Sequence, residues 1–105
     1  MSEVIVAIAT VKEGREAEAE KAIRSCIEAT HAEEGCERYA LHRVKDEPRK
    51  FVMVEKWRSQ ADIDAHFATP HLADLMTALG DAADGPATIL VCEPVSAGHV
   101  DKGAL

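Results

Sequence analysis

Residues Phe51 to Leu79, FVMVEKWRSQADIDAHFATPHLADLMTAL, decide how this 105-residue chain is read. From Phe51 to Trp57 the side chains alternate between two faces, as in a strand. Phe51, Met53, Glu55 and Trp57 share one face, and Val52, Val54 and Lys56 the other. Glu55 is the polar member of an otherwise apolar row, which places it near an opening or a partner. Ser59 then opens a helix, with Asp62 three residues on as a weak capping box. Thr69-Pro70 opens another, because proline at the first helical position gives up no hydrogen bond. Leu72, Leu75, Met76 and Leu79 form the expected buried stripe of that second helix. One strand thus feeds two short helices, and the space between them is where chemistry is expected.

Upstream, Glu3 to Val11 is apolar on both alternating faces and reads as a strand covered on both sides. Lys12-Glu13-Gly14 turns the chain into a helix over Arg15 to Ala32, whose apolar stripe includes Ala19, Ile23, Cys26 and Thr30. Gly35 is expected to stop that helix in the left-handed conformation. Cys36 to Val44 alternates as a half-exposed strand, and Lys45 to Lys50 is a polar turn. Downstream, Asp84-Gly85-Pro86 closes the last helix, and Ala87 to Val95 is a strand apolar on both faces. Residues 1–95 therefore read as one domain, and Ser96 to Leu105 as an arm without a packing pattern.

The order β-α-β-β-α-α-β is the split βαβ arrangement of ferredoxin-like domains, an α+β fold with a four-stranded antiparallel sheet. Helices cover only one face of such a sheet, yet the first and last strands read as buried on both. Leaving the other face in water forfeits roughly 25 cal/mol per Å² of apolar surface. A second copy packed sheet against sheet is the expected remedy, so the chain should be a homodimer.

A net charge of −7 with the twelve basic residues scattered among acidic ones argues against nucleic acid. No apolar run approaches a membrane span and no leader pattern opens the chain, so a cytoplasmic protein without membrane insertion is expected. Cys26, Cys36 and Cys92 share no metal-type spacing and read as reduced, mostly buried thiols. Asparagine is absent from the sequence. No phosphate loop, dinucleotide fingerprint or nucleophile elbow occurs, and no cofactor is expected. His66 and His71 lie five apart across Pro70, unlike the one-face pairing of a zinc helix, so no metal is expected either.

His66, beside Phe67, borders the apolar side of its helix. His71 precedes Leu75 by four residues and faces the sheet from the first turn of its own helix. A neutral imidazole in a dry pocket can act as a general base near pH 7. The plainer alternative is a pair of boundary histidines satisfied by backbone carbonyls. Trp57 is either core or pocket wall. Tyr39 and His42 fall on opposite faces of their strand, so at most one joins the pocket.

The runs Glu34-Gly35-Cys36, Arg38 to Arg43, Phe51 to Trp57, Ala65-His66 and Thr69-Pro70-His71 together resemble the antibiotic biosynthesis monooxygenase domain. Within it the likeness is to bacterial quinol monooxygenases and small actinobacterial relatives, and it spans nearly the whole chain. The resemblance implies a dimeric α/β barrel that oxidises a quinol or aromatic polyketide-like phenol with O2, without flavin, haem or metal. With it, His66 and His71 stand as the catalytic candidates and Trp57, Tyr39, Met53 and Phe67 as the substrate contacts; of these, Trp57 matches a tryptophan of the pocket in polyketide-oxidising members. Polyketide-oxidising members carry an asparagine where Met53 stands, so that hydrogen bond is missing. Haem-degrading relatives use an asparagine, a tryptophan and a ligating histidine; here the last two positions are His66 and the vicinity of Met76, which excludes that activity. His66 and His71 also match histidines of relatives that isomerise a phosphorylated signalling sugar. A non-catalytic dimer that binds aromatic ligands is the remaining alternative.

Overall fold

The computed structural model describes residues 2–105, and its elements follow the expected order. Strand β1 (Glu3–Thr10) passes through Gly14, whose φ is +84°, into helix α1 (Glu16–His31). Strands β2 (Cys36–Arg43) and β3 (Lys50–Trp57) pair with each other, helices α2 (Gln60–Phe67) and α3 (Pro70–Ala82) follow, and β4 (Thr88–Cys92) comes last. All four strands join one antiparallel sheet in the order β2-β3-β1-β4. This is the ferredoxin-like α+β arrangement.

Register decides which side chains share a face. Glu55 pairs with Ile5 on one side and Tyr39 on the other, and Met53 with Ala7 and Leu41. Directly opposed residues project to the same side of a sheet. These therefore lie beneath the helices, where Ile23 and Cys26 of α1, Ile63 of α2, and Leu72 and Leu75 of α3 complete the core. On the opposite, helix-free face, Val6 lies between Val54 and Leu90, and Ile8 beside Val52. Strand β4 is exposed at every position in the single chain, Leu90 by 50%.

Three local expectations change. Gly35 is not left-handed: positive φ occurs at Gly14, Gly85, Gly98 and Asp46 among the described residues. A glycine is needed there because a Cβ would run into the Asp62 carboxyl group of α2. Met76, assigned to the buried stripe of α3, is 44% exposed, and Ala82 joins Leu72 and Leu75 as a buried residue instead. Its place at the edge of the stripe leaves it at the rim of the hollow described below. Of the three free thiols only Cys26 is buried; Cys36 is half-buried and Cys92 exposed. Residues 96–105 hold no strand or helix, and Lys56 Nζ donates to the Leu105 carbonyl at 2.7 Å. Among the described residues no helix is long and apolar enough to cross a membrane.

Candidate functional site

Between the sheet and α3 lies a cavity of about 520 Å³, a size that accommodates a fused-ring molecule. Its wall is largely aliphatic, drawn from Ile5 and Met53 of the sheet, Ile23 of α1, and Leu72, Leu75 and Leu79 of α3. The polar side chains in that wall are Tyr39, Glu55 and His66.

The alternation of β3 carries Glu55 into this hollow, where it is 5% exposed. Trp57 Nε1 donates to its Oε1 at 2.8 Å. Burial raises the Glu55 pKa from 4.5 to about 7; the Trp57 hydrogen bond works against that rise and the charge of Glu33 adds to it. A carboxyl group held near neutrality gives up or takes a proton at little cost around pH 7.

His66 lies near the end of α2 and is 2% exposed. Its ring leans on the Trp57 indole, with centroids 4.5 Å apart, and meets Tyr39 edge-on at 5.4 Å. Nδ1 sits 2.7 Å from Glu33 Oε2. Burial pushes the His66 pKa below the ordinary imidazole value; Glu33 opposes the shift and His71 reinforces it. A neutral ring beside a carboxylate keeps its hydrogen on the nitrogen that faces it. The lone pair is then on Nε2. No buried side-chain nitrogen or oxygen lacks a hydrogen bond among the described residues, and none of these residues partners Nε2; that atom is therefore accessible, and the space that the His66 side chain lines is the cavity.

Glu33 also meets His71, whose Nε2 lies 2.8 Å from the same Oε2. The structure thus brings both sequence-nominated histidines onto one carboxylate oxygen, but it does not bring both into the cavity. His71 stands behind His66 and lines no part of the wall. The five-residue spacing of His66 and His71 rules out a zinc pair on one helix, but the two histidines stand on different helices. Here the ligand-capable atoms of Glu33, His66 and His71 lie within 4.8 Å of one another.

Trp57 is fully buried and does not line the hollow; it backs Glu55 and His66 from behind. Met53 and Phe67 do line it, Phe67 at the mouth with 46% exposure. Tyr39 lines it too and is 5% exposed, with its hydroxyl 3.9 Å from Cys26 Sγ. Burial lifts the phenol well above its usual range, which keeps it neutral. His42, paired with Val52, is on the helix-free face. His31 holds the Tyr39 carbonyl at 3.0 Å.

The family model for antibiotic biosynthesis monooxygenase matches residues 1–78. The chain belongs to that family. Among its relatives, Rv0793 of Mycobacterium tuberculosis, whose name assigns it provisionally to the monooxygenases, is 29% identical over 82 residues, covering 74% of this chain and 80% of its own. The solved structure of Rv0793 superposes with a TM-score of 0.87 at 22% identity, over 94% of this chain and 100% of that one. An uncharacterized protein of Synechocystis sp., sll1783, is 32% identical over 65 residues, 62% of this chain. The chain spans 44% of the length of that relative. A conserved protein from Methanosarcina mazei Go1 superposes with a TM-score of 0.83 at 26% identity, over 87% of this chain and 90% of that one. In this antibiotic biosynthesis monooxygenase domain, the cavity's polar groups are Tyr39, Glu55 and His66, with Glu33 and Trp57 behind them.

Proposed function

We propose that this antibiotic biosynthesis monooxygenase domain oxidises a quinol or fused-ring phenol with O2 and needs no bound cofactor. The observation that carries this reading is a pair of buried proton-transfer groups, Glu55 and His66, set in an otherwise apolar cavity. The substrate hydroxyl gives its proton to Nε2 of His66, while Glu33 holds Nδ1 and stabilises the imidazolium as it forms. The electron-rich phenolate passes one electron to O2, and recombination of the two radicals makes a carbon–peroxide bond. Glu55, in its acid form, protonates that peroxide, and the carboxylate so formed then takes the hydrogen of the same ring carbon as a proton. The C–H electron pair becomes the second bond of a new ring carbonyl as the O–O bond breaks, hydroxide leaves and takes the imidazolium proton to become water, and the substrate is the only reductant. Met53, Phe67 and Tyr39 contact the ring, and the aliphatic wall keeps bulk water away from the peroxide.

A second copy laid over the row of Val6, Val54 and Leu90 belongs to the same reading, since each Å² of that row removed from water contributes roughly 25 cal/mol. Isomerisation of a phosphorylated sugar is less well supported. Among the described residues no lysine or arginine lines the cavity, so a phosphate there has no cationic partner. The test is oxygen uptake with a reduced naphthoquinone. His66→Ala should lower turnover by about 100-fold or more, the usual worth of a positioned general base. Wild-type turnover in that variant, or quenching of Trp57 fluorescence by the ligand with no product formed, would sink the reading.

A further inference from the structure

The cluster behind the cavity holds more chemistry than the proposed oxidation uses. Glu33 Oε2 lies 2.7 Å from Nδ1 of His66 and 2.8 Å from Nε2 of His71. The three residues come from separate places: the turn after α1, the end of α2 and the start of α3. Two imidazole nitrogens and a carboxylate oxygen form a donor set that suits zinc and similar borderline ions. Metal bonds of about 2.1 Å in a tetrahedral arrangement set the donors roughly 3.4 Å apart. The two contacts to Glu33 must then open by about 0.6–0.7 Å, and the two histidine nitrogens, which lie within 4.8 Å of each other, must settle at the same spacing, a side-chain adjustment. The His71 and Glu33 side chains are 23% and 16% exposed, which gives an ion access from solvent and room for a water as fourth ligand.

We propose that Glu33, His66 and His71 bind a divalent ion of the zinc type, and that this ion sets the tautomer of His66. In the absence of the ion, Nδ1–H donates to Glu33 and the Nε2 lone pair faces the cavity. An ion seated on Nδ1 leaves the neutral ring no place for its hydrogen except Nε2. The nitrogen facing the substrate changes from proton acceptor to proton donor, with no change in the number of protons on the ring. The ion itself stays out of the cavity, because neither Glu33 nor His71 lines the wall. It therefore acts as a switch on the base and not as a Lewis acid on the substrate. This second step rests on the proton-transfer role proposed for His66; binding of the ion does not.

The untagged full chain is titrated with Zn²⁺ alone against a chromogenic chelator, and with Co²⁺ for its visible spectrum. One ion per chain is expected, with affinity falling more than tenfold in Glu33→Gln and in His71→Ala, at least the loss seen when a mere supporting partner of a metal ligand is removed. Circular dichroism checks that both variants fold. The exposed Cys92 thiol is the rival donor, so Cys92→Ser is run alongside and should bind the ion unchanged. The Co²⁺ complex should show four-coordinate bands without thiolate charge transfer. Equal affinity in wild type and both cluster variants, or loss of the ion in Cys92→Ser, overturns the site. Saturating Zn²⁺ should suppress oxygen uptake by the wild type; an ion bound at the cluster with uptake unaffected overturns the tautomer step. Zinc binding that depends on Glu33 and His71, in a chain that consumes no oxygen even without zinc, upholds the site and contradicts the proposed oxidation.

Discussion

Replacing Glu55 with glutamine should remove a pH dependence of stability whose sign and size follow from its surroundings. The carboxyl group titrates at about 7 in the folded chain against 4.5 when unperturbed, because burial disfavours its anion. Between those values the unfolded chain has lost a proton that the folded one keeps. Stability is thus fully present below pH 4.5 and is lost as pH rises through 7. At about 1.4 kcal/mol per unit, the loss amounts to about 3 kcal/mol. His66 pulls the other way: its folded pKa is lowered, so its contribution is present above the ordinary imidazole value and fades as pH falls below it. Wild-type stability alone mixes the two trends. Glu55 does not contribute to the His66 shift, so the difference between variant and wild type cancels the histidine. Glutamine keeps an oxygen for the Trp57 N–H, which limits any pH-independent offset. Urea unfolding from pH 4.5 to 8.5 at fixed protein concentration gives the difference at each pH, concentration being held because a dimer's stability depends on it. Glu55→Gln should gain about 3 kcal/mol on the wild type across that range. A difference that stays flat to within about 0.5 kcal/mol would mean that Glu55 ionises normally, and the proposed acid would be lost with it.

Trp57→Phe deletes the N–H that holds the Glu55 pKa down, so the Glu55 carboxyl signal in carbon NMR should titrate at a higher pH than in wild type; a lower or unchanged midpoint contradicts the role given to that bond. Gly35→Ala should destabilise by about 1–3 kcal/mol in urea, as overpacking does, because the methyl group displaces the Asp62 carboxyl that Arg58 and Ser59 hold. Val54→Asp puts a charge in the aliphatic row of the helix-free face, and sedimentation should show a dimer converted to a monomer. A wild type that already sediments as a folded monomer at micromolar concentration removes the need for that partner.

Alternation along Phe51 to Trp57 was enough to orient β3, and with it the sheet, because each residue's face is set by a period of two whatever lies elsewhere. The same parity marked Glu55 as out of place in an apolar row. Glu33 carried no such mark. It sits in Ala32-Glu33-Glu34-Gly35, which reads as a solvated helix end, and its partners lie 33 and 38 residues away. Parity put Trp57 on the cavity's side of the sheet but not within its wall, since a residue at the end of a strand can pass beneath the site and seal it. His71 meets the same Glu33 oxygen, yet it lines no part of the cavity that His66 reaches. Gly35 was recognised as special for the wrong reason. The constraint is the approach of α2, a contact that no local pattern contains.

Thr69 joins α2 to α3 with four hydrogen bonds: its N–H and its hydroxyl both donate to the His66 carbonyl, at 3.1 and 2.7 Å, its hydroxyl oxygen receives the Leu72 N–H at 3.4 Å, and its carbonyl receives the Ala73 N–H at 3.2 Å. The junction is therefore an elbow locked at its inner corner. A guest too broad for the resting mouth gains admission by displacing the two helices as one piece, or by moving the strip from Gly80 to Pro86, and not by prying α2 from α3. His66 rides on α2, so a guest that displaces the helices carries the imidazole with them, and bulkier guests should be slowed in proton transfer as well as on entry.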